Sequence, residues 1–132
     1  MKPVILDTNV FIAAAFNPRS SSAKIIQAIR DGSLSLVWDE SIKSEIKKML
    51  TQIPHTSWGD FSSLFQEANK HNTKTSPDHF VAIEDPDDRK FAALAKDTGA
   101  TLVTNDVHLL GTKSQTGLDV ISPNDFAKES LS

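Results

Sequence analysis

The sequence predicts an α/β protein in which a central parallel sheet is covered by helices on both faces. Three observations predict it. Short, continuous apolar runs at residues 4–6 and 101–103 suit strands buried on both sides. Between them lie stretches whose apolar residues recur at helical spacing. The two kinds of segment alternate along the chain, which implies parallel strands joined by right-handed helical crossovers.

Taken in order, Val4, Ile5 and Leu6 form the first strand, ending on Asp7. After Pro18, the serines at 20 to 22 offer N-caps for a helix with Ile25, Ile26 and Ile29 on one face, and Gly32 stops it. Leu34, Leu36, Val37 and Trp38 make a second strand. Ser41 can cap the next helix, where Ile42, Ile46, Met49 and Leu50 share a face and Pro54 lies beyond the end. From Ser57 onward, Phe61, Leu64, Phe65 and Ala68 repeat with helical period and predict another helix. The polar run HNTKTSPDH is a loop, and Phe80, Val81 and Ile83 suggest a brief extended segment. A helix carrying Phe91, Leu94 and Ala95 follows, closed by Gly99. Thr101, Leu102 and Val103 read as a buried strand ending at Thr104. Val120 and Ile121 form the last strand before Pro123, with Ser122 or Asn124 capping a terminal helix.

A chain of 132 residues, 39% apolar, is long enough for one domain over residues 1–132 that buries roughly two-thirds of its unfolded surface. With no cysteine, a disulfide scaffold, a thiolate zinc site and a cysteine nucleophile are excluded. The start has a lysine and an apolar stretch like a signal peptide, but Asp7 and Asn9 interrupt it and no segment reaches membrane-spanning length. A soluble, cytoplasmic protein without a membrane partner is expected. The net charge of −3 means that a polyanion must be held by a local basic patch or by bound cations.

Four acidic residues carry most of the functional signal: Asp7, Glu45, Asp88 and Asp106. Ligands of parallel α/β sheets bind beyond the carboxyl ends of the strands. Asp7 and Asp106 follow two of those ends, so both are expected on one rim. For Asp7, followed by Thr8 and Asn9, the alternative is a turn or helix-cap role. Glu45 falls beside the apolar stripe of its helix, where an ordinary surface glutamate is the alternative. In EDPDDRKF, capping by Asp85, with Pro86 as first helical residue, explains part of the acidity. Asp88 nonetheless shares a row with Phe91, Ala92 and Ala95, while Asp87 shares one with Phe91 and Leu94, so the ligand could be one position away. Asp106 follows TLVTN directly, where an Asn-Asp turn is the alternative.

Carboxylates gathered a few ångströms apart raise one another's pKa unless a divalent cation neutralises them. Oxygen-only ligands favour Mg²⁺ or Mn²⁺, and such a site can activate water against a phosphodiester. The segments ILDTNVF, the helix holding Glu45, DPDDRKFAALA and ATLVTNDVHLL resemble, in order and spacing, the signature segments of the PIN-domain family. The resemblance covers nearly the whole chain. It implies a three-layer α/β/α sandwich with a central parallel sheet and a Mg²⁺- or Mn²⁺-dependent site that cuts single-stranded RNA. It makes Asp7, Glu45, Asp88 and Asp106 the catalytic, metal-binding acids, with Asn9 and Thr104 as polar support; Asp85 and Asp87 support Asp88 on the reading of the acidic run given above. Within the family the chain is most similar to toxin components of bacterial and archaeal toxin-antitoxin systems, which implies an antitoxin partner. Asn105 stands where glycine is frequent, and Val107 with His108 replaces a common lysine and acid.

Other sites are weaker. His55, His71, His79 and His108 have no paired helical spacing, and no nucleophile elbow or phosphate loop occurs. Lys43, Lys47 and Lys48 read as a solvated face, from which some, with Arg19 or Arg89, could guide an RNA backbone. A helix with Phe61 and Phe65 could offer a homodimer or antitoxin surface. The competing functions are a catalytically silent RNA- or protein-binding module and a phosphoacceptor receiver domain. The latter needs paired acids after the first strand, which Thr8 and Asn9 do not supply.

Overall fold

Val4, Ile5 and Leu6 are wholly withdrawn from solvent, as a strand covered on both faces must be. In the computed structural model, which describes residues 2–80, 83 and 85–131 with the side chains of Asp87, Ser114 and Gln115 excepted, they lie in β1 (Lys2–Leu6), an inner strand of a four-stranded parallel sheet. The strand order is β2-β1-β3-β4, with β2 at Leu34–Leu36, β3 at Thr101–Val103 and β4 at Val120–Ile121. Val4 pairs with Leu36 on one side of β1, and Leu6 pairs with Val103 on the other. The chain leaves β1 toward β2 and leaves β3 toward β4, so strand order reverses between β1 and β3. That gap is where such sheets bind ligands.

The helices are α1 (Thr8–Phe16), α2 (Ser21–Arg30), α3 (Glu40–Gln52), α4 (Pro86–Thr98), α5 (Val107–Gly111), α6 (Lys113–Thr116) and α7 (Pro123–Ser130). They complete the three-layer α/β/α arrangement expected from the sequence. Among the described residues, no helix is long and apolar enough to cross a membrane. Ser20 caps α2 by accepting from the Ala23 N–H at 3.1 Å, and Ser122 caps α7 at Asp125, with Pro123 in the first turn. Gly99 ends α4 at a φ of 72°, a left-handed conformation that a side chain would strain.

Several elements differ from expectation. Helix α1 has no periodic signal in the sequence, because VFIAAAF is apolar throughout and shows no 3.6-residue alternation. It buries Val10 and Phe11 and starts directly after the strand because Asp7 adopts an extended, capping conformation. The short helices α5 and α6 are likewise additional to the elements that the sequence predicts. The cap of α3 is Asp39, which accepts from the Ile42 N–H at 2.9 Å, rather than Ser41. Replacing Asp39 by alanine should therefore cost about 1 kcal/mol in thermal unfolding, while Ser41→Ala should be near neutral. A loss at Ser41→Ala with Asp39→Ala near neutral would return the cap to Ser41.

The expected helix with Phe61 and Phe65 is instead a series of 3-10 turns at Trp58–Asp60, Ser62–Leu64 and Glu67–Asn69. Its apolar residues are buried as their spacing implied, but tertiary anchors set the backbone. Phe65 stacks on Phe11 with centroids 5.8 Å apart, and Phe61 meets Phe11 edge-on at 5.6 Å. The Trp38 indole N–H donates to the Gln66 carbonyl at 2.9 Å, and the His71 N–H to the Trp38 carbonyl at 2.7 Å. Phe61 and Phe65 are both buried, whereas Trp58 is only partly so. Of the expected extended segment, Phe80 ends a 3-10 turn at Pro77–Phe80, and Val81 lies outside the described residues.

Candidate active site

The reversal of strand order places the residues after β1 side by side with those after β3. The Asp7 N–H donates to the Val103 carbonyl at 3.1 Å, continuing the ladder one residue past β1. Asp7 is only 4% exposed. Its Oδ2 accepts a 2.5 Å hydrogen bond from Thr104 Oγ1, and its Oδ1 a longer one, 3.3 Å, from the Asn9 N–H. Burial pushes this carboxyl above the usual range, against the lowering effect of those two donors, and the charges of Asp106 and Glu45 push it further. The alternative of a helix cap is thus met at Asp7 together with burial that a cap does not require.

Thr104 is completely buried and links two acids, since its hydroxyl also accepts from the Asp106 N–H at 3.0 Å. Asp106 caps α5 through the His108 N–H at 2.8 Å. Asp88, in α4, is half-buried and shares a side-chain hydrogen bond with Asp106. Desolvation, that hydrogen bond, and the charges of Asp106, Asp85 and Asp7 raise its pKa to about 7. Two carboxyls in hydrogen-bond contact require a proton between them or a cation beside them.

Glu45 reaches the same cleft from α3. Its Oε2 accepts from Thr8 Oγ1 at 2.9 Å, and its Oε1 lies 2.7 Å from Lys90 Nζ. Neither Thr8 nor Lys90 stood out in the sequence, because each partnership spans dozens of residues and carries no local pattern. The cleft, about 610 Å³, is lined by Asp7, Asn9, Glu45, Asp85, Asp88 and Lys90 and runs along α3 past Ser44 and Lys48. Asp106 is linked to this lining through Asp88 and, by way of Thr104, through Asp7. Asn9 supports Asp7 through its backbone N–H, with its side chain exposed on the cleft. Asp85 sits at the start of α4, where its carbonyl accepts from the Asp88 N–H. The side chain of Asp87 falls outside the described residues.

The lysines expected as a solvated face divide. Lys48 lines the cleft, whereas Lys43 lies over the Trp38 ring at 5.0 Å. Arg89 donates to the Ile83 carbonyl at 2.8 Å and ties down the approach to α4.

The donors at this rim are oxygens and the charge is in excess, a chemistry that fits Mg²⁺ or Mn²⁺. As placed, no three acidic or histidine side chains among the described residues converge on one ion position. Asp88 is turned toward Asp106 and Glu45 toward Lys90.

Comparison with known proteins agrees with this architecture. A family model described as PIN domain matches residues 3–108. The uncharacterized protein MJ1680 of Methanocaldococcus jannaschii is 27% identical over 139 residues, covering 96% of this chain and 90% of that protein. A chain in the structure of FitAB bound to IR36 DNA fragment superposes with a TM-score of 0.56 at 16% identity, covering 91% of this chain and 94% of that one. At that identity the likeness speaks for the fold.

Proposed function

Because the chain belongs to the PIN-domain family, we propose that it is a single-domain Mg²⁺- or Mn²⁺-dependent endoribonuclease that hydrolyses phosphodiester bonds of single-stranded RNA. The observation that carries this reading is a buried carboxylate, Asp7, at the strand-order reversal, raised by burial and further by the charges of Asp106 and Glu45, with Asp88 raised beside it by desolvation and by its acidic neighbours. Such an accumulation is costly for a fold and useful for a cation site.

In this reading Asp7, Glu45, Asp88 and Asp106 would hold the ion. A bound Mg²⁺ or Mn²⁺ supplies activation of water and neutralisation of charge on the phosphate. The protein's part is positional. Thr104 fixes the Asp7 carboxylate and the Asp106 backbone together, and Thr8 fixes Glu45, so three segments distant in sequence keep one geometry. The open cleft along α3 suits a flexible single strand, and Lys48 on its wall suits a phosphate. Resemblance to toxin components supports a further reading, a cytoplasmic toxin held by an antitoxin. The fold neighbour's solution as FitAB on a DNA fragment is compatible with it.

A second reading, a catalytically silent RNA- or protein-binding module, is favoured by the pairing of Glu45 with Lys90. Incubation of the purified protein with single-stranded RNA and Mn²⁺, with and without EDTA, separates the two. Cleavage that EDTA abolishes is expected. RNA retained uncut at saturating Mn²⁺ would leave the silent module.

A further inference from the structure

Among the described residues, the Lys90–Glu45 pair differs from Lys70–Glu40 and His71–Asp97 in where it sits. Lys70 with Glu40 pairs a lysine to a carboxylate that is 65% exposed. Lys90 and Glu45 are 20% and 22% exposed, 2.7 Å apart, and both line the acidic cleft. With Thr8 Oγ1 on Oε2, each Glu45 oxygen has a partner. A half-buried carboxylate next to Asp7 needs a positive charge nearby, and the described residues supply it from α4, two positions beyond Asp88.

We propose that Lys90 is an internal stand-in for the divalent ion: its ammonium holds Glu45 while the site is empty and must be displaced from it when the ion binds. The inference rests on the metal-dependent reading above. Its consequence is competition. One positive charge at Glu45 excludes a second by repulsion and by occupying the oxygen that the ion needs. The same charge stabilises the metal-free protein, which would otherwise keep an unpaired carboxylate in the cleft. Lys90 is therefore a positioning residue that lowers metal affinity in exchange for a folded empty state.

The test is a calorimetric titration of metal-free protein with Mn²⁺ at pH 7.5, comparing wild type, Lys90→Met and Lys90→Arg. K90M is expected to bind Mn²⁺ more tightly, on the order of tenfold, and K90R to stay close to wild type. Thermal unfolding in EDTA should show K90M less stable than wild type, and saturating Mn²⁺ should erase that deficit. If Lys90 only braces α3 against α4, K90M binds the ion no tighter and stays destabilised with it, which overturns the proposal. Should K90M fold poorly, the question can be put to the wild type by NMR of its lysine ammonium groups, with the Lys90 signal assigned by its loss in K90R. That signal is expected to move on addition of saturating Mg²⁺, and an unmoved signal overturns the inference. A wild type that binds no Mn²⁺ at all sinks the metal reading and this inference with it, whereas binding that K90M leaves unchanged sinks this inference alone.

Discussion

Asp7→Asn is expected to lower Mn²⁺-dependent cleavage of single-stranded RNA by on the order of a thousandfold while leaving the metal-free protein as stable as the wild type or more so. The two halves of that result have one cause. Asparagine is nearly isosteric with aspartate and as good an N-cap, so its amide oxygen can keep the Asn9 N–H that Asp7 holds at 3.3 Å. The Thr104 hydroxyl, which now donates to Asp7, can rotate to accept from the new amide, since a hydroxyl has both capacities. What disappears is the negative charge, and in a 4% exposed position that charge opposes folding until a cation joins it. Residues whose removal stabilises the fold and destroys the activity mark a functional site. Cleavage assays in Mn²⁺ and unfolding in EDTA check the two halves separately. Undiminished cleavage would point to a contaminating nuclease, and a collapsed melting temperature would make Asp7 a structural cap.

Much of the fold could be read in the sequence because each buried strand is a short apolar run with a polar stop: Leu6 before Asp7, Val103 before Thr104. Amphipathic helices were equally open to reading where one face meets water, as in α2 and α3. The pattern failed where its physical basis was absent. Helix α1 has no polar face to set a period, and its buried residues, Val10 and Phe11, merge with apolar neighbours. The segment from Trp58 failed for the opposite reason. Its Phe61, Leu64 and Phe65 have a helical period and are buried, yet their partners are Phe11 and Trp38, and contacts so distant in sequence outweigh local propensity.

The site divides along the same line. Asp7 and Asp106 could be placed on one rim from strand ends alone, since topology brings those ends together. Thr104 had a signal too, as the polar residue directly after the buried strand. The hydrogen bond between Asp88 and Asp106 and the ion pair of Glu45 with Lys90 depend on side-chain rotation, about which a sequence carries no pattern. Lys90 illustrates the limit: on α4 it reads as one more surface lysine, and only the packing of α3 beside α4 makes it a cleft residue.

Desolvation of these carboxyls, together with their mutual repulsion, makes the metal-free protein lose stability as pH rises. Asp88 titrates near 7 in the folded state and near the ordinary aspartate value when unfolded, and Asp7 is shifted in the same direction. A carboxyl raised on folding binds its proton more tightly in the native state, so its favourable contribution is full below the unfolded pKa and is gone once pH has passed the folded one. The melting temperature in EDTA should therefore fall between pH 5 and pH 8, on the order of 5 °C after allowance for solvent screening at a half-buried group. Asp31, whose pKa is lowered by its hydrogen bonds to Ser33, acts in the opposite sense, but only below this window. Mn²⁺ competes with those protons for the same oxygens, so its stabilisation should be large at pH 8 and small at pH 5. Asp88→Asn should flatten the metal-free profile, because it removes the group that titrates inside the window. A profile flat in the wild type, or an equal Mn²⁺ effect at both ends, would mean that these carboxyls are too far apart to share either a proton or an ion.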